Sequence, residues 1–332
     1  MTQTVTFPGL GLTFELNRVA FQLFGMPVYW YGIIITCGLI LAVYLCCRWA
    51  HRFGTNSDEI IDLMIFAVPA ALIAIRAYYV IFNLDFYRGA DGTLEWSRIL
   101  SYRDGGLAIY GAVISSVIVL LIFSRVKKIS FLSFADLGVH GLFIGQLIGR
   151  WGNFMNVEAY GGVTSLPWRM CSEKIANELL AGGLVNSEEY TAILAGTLGV
   201  HPTFFYESFW NLIGLFLVYS IGRWARKYDG ECFLFYLFWY GLGRFWIEGL
   251  RTDSLYFFGL TFFGIPIRTS QLVALLSAVV AGALLLYNWR FKTHAPEKLY
   301  VNRLAARKAL EEKEAEKEKT AEGESENAGD NH

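Results

Sequence analysis

Two runs in this chain, residues 27–47 and 269–289, contain no charged side chain. At about 1.5 Å per residue, each makes a helix about 30 Å long, the thickness of a bilayer's hydrocarbon layer. Residues 107–124 are a third such run, slightly shorter. Stretches of this kind leave a chain two options, a membrane or a very large buried core. Composition decides between them. Of 332 residues, 55% are hydrophobic and 17% charged, where a soluble domain carries about 25% charged residues. That excludes a disordered chain, a basic nucleic-acid-binding protein and most soluble enzymes. Four further runs, 60–82, 131–152, 204–222 and 232–250, are apolar but carry Arg76, Asp136, His140, Arg150, Glu207, Arg244 and Glu248. The expected fold is therefore all-α, a polytopic integral membrane protein with seven transmembrane helices.

Orientation follows from the basic residues, which accumulate in cytoplasmic segments. Arg48 and Arg52 follow the first span, Arg125, Lys127 and Lys128 the third, and Arg223, Arg226 and Lys227 the fifth. With those after the seventh span, these segments hold most of the 28 Lys and Arg. The alternate loops are longer and balanced in sign. The N-terminus is expected outside and the C-terminus in the cytoplasm. Residues 1–26 lack the basic start of a cleaved signal peptide, and Pro8 with several aromatics suggests an outer interfacial segment. Residues 27–290 form the membrane domain, with a small external subdomain at about 153–203. Residues 291–332 form a charged cytoplasmic tail, which from about Ala305 reads as a solvated helix or disorder. The five cysteines are scattered through apolar runs or, like Cys171, stand alone, and imply no disulfide.

Charges inside a bilayer cost several kcal/mol and mark function unless they pair. This topology puts Tyr31, Arg76, Tyr110, Arg150, Glu207, Arg244 and Glu248 at one level, toward the outer face. Asp136 and His140 lie nearer the cytoplasm, where packing explains them best. Tyr240, Arg244 and Glu248 repeat at i, i+4 and i+8, one face of a helix that lipid cannot satisfy. A bare helix-to-helix lock would use the same stripe. Residues 149–162 bring Arg150, Asn153, Asn156 and Glu158 together between glycines. Arginine binds phosphate through two parallel hydrogen bonds, so Arg150 and Arg244 at headgroup depth suit a phospholipid phosphate. His201–Glu207 and Asp104–Gly106 taken alone are turns and caps, with Thr203 a candidate cap. No Gly-x-Ser-x-Gly, His-Glu-x-x-His or phosphate-loop pattern occurs, and the five histidines have no metal-ligand spacing. A transporter would favour internal repeats, and an intramembrane protease a Ser/His or paired-Asp set; neither is found.

The string GRWGNFMNVEAYG (149–161) resembles the signature of the bacterial prolipoprotein diacylglyceryl transferases, with all eight fixed positions met. WYG (30–32), DGGLAIYG (104–111), HPTFFYE (201–207) and YGLGRFWIE (240–248) resemble further family segments, in the family's order. The likeness covers about residues 5–290. It implies a seven-helix enzyme of the bacterial cytoplasmic membrane, with no cofactor and no metal. Its partners would be membrane lipid, specifically phosphatidylglycerol, and the lipobox signal peptides of preprolipoproteins, with no nucleic acid. Carried over by motif, Arg150, Arg244, Tyr110, Glu158 and Glu248 would be catalytic. Tyr31, Asn153, Asn156, Tyr240 and Gly161 would bind substrate. Tyr110 stands where Gram-negative members have a histidine, as it does in Gram-positive ones. The reaction would be attack of a cysteine sulfur on the glyceryl carbon bearing the phosphate ester. Arg150 and Arg244 would take the phosphate with Asn153 supporting, while Glu158 and Glu248 hold the guanidiniums or accept the thiol proton. Tyr31, Tyr110 and Tyr240 would bind the headgroup or tune the proton transfer.

Overall fold

The computed structural model describes every residue except 1, 90–91, 103–104, 252–255, 263–264 and 330–332. For 256–262, 265–267, 269 and 318–329 it describes the backbone alone. Asp104, expected in a turn, lies outside the described residues.

Two antiparallel hairpins come first, β1 (Thr2–Phe7) with β2 (Leu12–Asn17), then β3 (Val19–Leu23) with β4 (Met26–Tyr29). Helices follow: α1 (Trp30–Trp49), α2 (Ser57–Phe82), a single turn α3 (Trp96–Ile99), α4 (Ile109–Val126) and α5 (Phe131–Asn156). A two-residue strand β5 (Val163–Thr164) precedes α6 (Glu173–Ala181) and α7 (Ser187–Leu194), and pairs with β6 (Gly199–Val200). Then come α8 (Thr203–Ser220), α9 (Glu231–Leu250), the hairpin β7 (Tyr256–Phe262) and β8 (Ile265–Arg268), α10 (Thr269–Phe291) and α11 (Tyr300–Gly329).

Among the described residues six helices are long and apolar enough to cross a membrane: α1, α2, α4, α5, α8 and α10. They match six of the seven expected spans. The seventh run is also a helix, α9, but with Glu231, Arg244 and Glu248 on it α9 is not one of the six. The spans expose apolar side chains along their length, such as Ile65, Phe66 and Ile73 on α2 and Val279, Val280 and Leu286 on α10. Surface of that extent is a liability in water and ordinary in lipid. The chain is a polytopic membrane protein.

The chain divides into two compact units, residues 1–45 with 138–295 and residues 46–137 with 296–332. In the first, α9 packs along α10 and against α8. Trp210 and Trp239 stack at 4.4 Å, and each donates its indole N–H to the other's carbonyl, at 2.9 and 3.0 Å. Two partly buried donors are thereby satisfied where lipid offers no acceptor.

In the same unit, residues from the stretch 153–203, where a small subdomain is expected, share a core with the N-terminus. Val5, Phe7 and Leu16 of the first hairpin share one core with Phe154, Val157, Met170, Ile175, Leu179, Ile193 and Val200. Period-two alternation puts Val5 and Phe7 on the same face of β1, which is why that hairpin docks. The two N-terminal hairpins therefore have different surroundings, which the sequence reading of one interfacial segment did not separate. Cys171 is buried here, with its thiol on the Leu198 carbonyl at 3.0 Å, and none of the five cysteines forms a disulfide. Burial pushes the Cys171 thiol up from its ordinary pKa.

In the second unit α2 starts at a capping box, Asn56 with Glu59, and lies along α4. The contact is close enough that a Cβ at Gly111 would sit 2.1 Å from the Ala74 carbonyl oxygen. Arg76, buried on α2, spends its guanidinium on four backbone carbonyls: Ile99 at 2.8 Å, Arg98 at 2.6 Å, Gly105 at 2.6 Å and Gly106 at 2.9 Å. Tyr300, which opens α11, packs on Gly54. The charged tail is helical from Tyr300 onward. Asp136 on α5 is fully buried, as is His140 one turn along the same helix in the first unit.

Candidate active site

The site forms in the first unit, where the C-terminal ends of α5 and α9 meet the N-terminal end of α8. Its centre is Glu207, one turn into α8 and buried. Its carboxylate pairs with Arg150 of α5 through one oxygen and with Arg244 of α9 through the other, the latter at 2.9 Å. Arg244 also pairs with Glu248 one turn along α9, at 2.7 Å. The i, i+4 spacing expected from the sequence is the cause of that second contact. The two carboxylates are 5% and 4% exposed, whereas the Arg150 and Arg244 side chains are 21% and 23% exposed. The anchors are hidden and the cations partly open. That is the arrangement needed to offer a second anion two oriented guanidiniums.

A chain of amides continues from Arg150. Its Nη1 donates to Asn153 Oδ1 at 3.3 Å, and Asn153 Nδ2 donates to Glu158 Oε1 at 2.9 Å. Asn156 Nδ2 donates to the same oxygen at 3.2 Å and accepts from Arg18 at 3.3 Å. Glu158 therefore faces carboxamides; of the two roles expected for it, holding a guanidinium or accepting the thiol proton, these contacts leave the second open. It stands between two non-glycine residues in the left-handed region, Val157 at φ +50° and Ala159 at φ +57°. A β-branched residue there is strained, and such strain persists only where the surroundings enforce it. The enforcing contacts are visible: Lys174 of α6 donates to the Asn156 and Val157 carbonyls at 2.7 and 2.9 Å, and the Thr203 hydroxyl donates to the Ala159 carbonyl. Thr203 is thereby used to hold this turn and does not cap α8, whose preceding residue is Pro202.

Tyr31 at the start of α1 covers Gly152 and lies within electrostatic reach of Glu158 and Arg150. Tyr240 stacks on Tyr236 at 5.5 Å and lies near Arg244, Glu207 and Arg150. Gly161 sits where three segments converge. Its N–H donates to the His201 carbonyl at 2.9 Å, and a Cβ would meet the Leu250 carbonyl oxygen at 2.8 Å. The position admits only glycine and ties the signature loop to the ends of α8 and α9. Arg268 donates to the Glu248 and Arg251 carbonyls, closing the end of α9.

Of the expected site residues, Arg150, Asn153, Asn156, Glu158, Tyr31, Tyr240, Arg244, Glu248 and Gly161 all belong to this one unit. Tyr110 belongs to the other, half-exposed at the start of α4 with Tyr78 at 6.2 Å. Arg76 is also there, with its donors given to backbone. Glu207 was legible only as a carboxylate in an apolar span, and its segment looked like a turn. The signal that could have found it was the charge count: two arginines at one depth need a shared counter-ion.

Fold and site together define a class, a multi-pass membrane protein with a paired-arginine site suited to an anionic group. The family model described as prolipoprotein diacylglyceryl transferase matches residues 18–287. A Lysinibacillus sphaericus protein named phosphatidylglycerol–prolipoprotein diacylglyceryl transferase is 42% identical over 276 residues, 83% of this chain and 93% of its own. Proteins of the same name from Clostridioides difficile and Bacillus cytotoxicus are 39% and 38% identical, over 80% and 89% of this chain and 92% and 99% of theirs. The chain belongs to the prolipoprotein diacylglyceryl transferase family and is a transferase.

Proposed function

We propose that this protein transfers the diacylglyceryl group of phosphatidylglycerol to the lipobox cysteine of preprolipoproteins. The step forms a carbon–sulfur bond and breaks the bond between the glyceryl carbon and its phosphate oxygen. Glycerol phosphate leaves with the electron pair, and the thiol proton goes to a protein base. The observation that carries this reading is the pair of partly open guanidiniums fixed on one buried carboxylate. As the bond breaks, negative charge grows on the phosphate, and preorganised donors aimed at such charge are worth about 2.7–4 kcal/mol each. Arg150 and Arg244 supply them, with Asn153 steadying Arg150. Glu207 and Glu248 keep the guanidiniums aimed and need no reorganisation during the reaction.

Free thiol has a pKa near 8.5, so a base must raise the thiolate fraction at neutral pH. Glu248 is committed to Arg244, whereas Glu158 accepts from carboxamides. We therefore assign the proton to Glu158, while Tyr31 and Tyr240 orient the headgroup. In this reading α9 is the seventh span and its charges face the site. The N-terminus and the site lie toward the outer face of the bacterial cytoplasmic membrane, where a translocated signal peptide presents its cysteine.

The test is purified protein with phosphatidylglycerol and a synthetic lipobox peptide, read by mass spectrometry. A diacylglyceryl mass gain that needs the cysteine and disappears in Arg244→Ala is the expected result. Intact lipid binding without any mass gain would make the site a binder and overturn the assignment.

A further inference from the structure

From Val19 to Cys47 the chain carries no charged residue, yet α1 begins only at Trp30. A helix of 20 residues is already about 30 Å long and crosses the hydrocarbon layer unaided. The eleven residues before it, the β3–β4 hairpin, are surplus to the span. In that hairpin Phe21 pairs with Val28 and Leu23 with Met26, which puts four apolar side chains on one face. Phe21, Leu23 and Met26 are about half exposed, and Phe24 at the tip is 92% exposed. The first hairpin buries Val5, Phe7 and Leu16 in a shared core, whereas none of Phe21, Leu23, Phe24 and Met26 is buried. An isolated two-stranded hairpin is marginal in water, so one with a bare apolar face needs another solvent.

The turn makes the same point independently. Phe24 and Gly25 have φ +49° and +76°, the two positive values of a type I′ turn. Asn or Asp is the residue that fits the first of these positions. Phenylalanine there sacrifices local fit and gains nothing from the protein, because its ring touches almost nothing. At the other end of the hairpin Tyr29 closes β4 and Trp30 and Tyr31 open α1, the aromatic girdle expected at a membrane interface.

We infer that the β3–β4 hairpin is a lipid-inserted anchor, with Phe24 and the Phe21/Leu23/Met26 face in the acyl-chain region of the leaflet nearest the N-terminus. The occupant of this surface is the bilayer itself, continuous with the lipid around α1. The inference stands apart from the proposed chemistry.

Full-length protein carrying p-benzoylphenylalanine in place of Phe24, in phospholipid nanodiscs, would be irradiated and its intact mass measured. The same photoprobe at Glu188, exposed on α7, serves as the control. A phospholipid adduct at position 24 and none at 188 is expected. A crosslinked dimer, or no lipid adduct at 24, would overturn the inference. A second variant separates turn chemistry from lipid contact. Phe24→Asn suits the turn better, so if the hairpin lies in water its amides will exchange more slowly. If it is anchored in lipid, amides 19–29 will exchange faster than in the unsubstituted protein.

Discussion

At the scale of single residues, the site depends on Glu207, which neutralises two arginines that would otherwise repel each other in a low-dielectric setting. Glu207→Gln keeps the shape and removes the charge. Breaking a buried pair by removing one partner costs about 3–5 kcal/mol, so a lower Tm is expected. If one guanidinium also loses its aim, the loss of about 2.7–4 kcal/mol of transition-state stabilisation reduces turnover about 10²–10³-fold. Thermal unfolding and the peptide assay, run side by side, check both. Arg150→Lys tests geometry at constant charge. An ammonium cannot hold Glu207, Asn153 and a phosphate with a planar fork. Turnover should fall about 10- to 100-fold, given about 1.5–3 kcal/mol for a hydrogen bond to a charged group. Near-normal turnover would remove Arg150 from the phosphate clamp.

At the scale of elements, two contacts carry most of the consequence. The α2–α4 pair approaches backbone to backbone at Gly111, where a methyl group would overlap the Ala74 carbonyl. Overpacking of this kind costs about 1–3 kcal/mol. Gly111→Ala should therefore lower Tm, and because Tyr110 is its neighbour, it should also disturb the start of α4. The second contact is the segment leading into α8. Burial lowers the His201 pKa below its ordinary 6.5. Its neutral form is favoured in the fold, so the unfolded chain binds more protons near that pH. The stability contributed is present above pH 6.5 and fades as pH falls through it. His201→Gln should flatten that decline, measured as Tm against pH between about 5 and 8. A decline of unchanged steepness would assign it to other groups.

At the scale of the whole molecule, six apolar helices and the basic segments between them constrain the topology more than any single contact does. Protease added to intact spheroplasts should cut within the subdomain and spare α11, and only in inverted vesicles should α11 be cut. Residues 308–317 of α11 are exposed, whereas Tyr300 packs on Gly54. Truncation after Arg307 should leave turnover intact, and truncation before Tyr300 should lower Tm. Loss of turnover in the shorter deletion would give the acidic tail a part in the reaction.

The sequence by itself determined what depends on neighbours along the chain. Uncharged runs about as long as the hydrocarbon layer is thick locate α1, α4 and α10, since with this composition a membrane is the environment that accepts them. The Arg244–Glu248 pair was legible for a similar reason, because helical spacing alone puts those side chains together. The signature string located Arg150, Asn153, Asn156, Glu158 and Gly161 in one short stretch. What only the tertiary structure decided is who pairs with whom across helices. Glu207 bridges Arg150 and Arg244 because α8 docks against both α5 and α9, and no spacing within α8 encodes that. Glu158 faces two amides because Lys174 and Thr203, far along the chain, hold a strained turn in place. Hydropathy and helical period are local properties of a chain. The choice of a counter-ion in a medium without water is made by whichever helix arrives beside the charge.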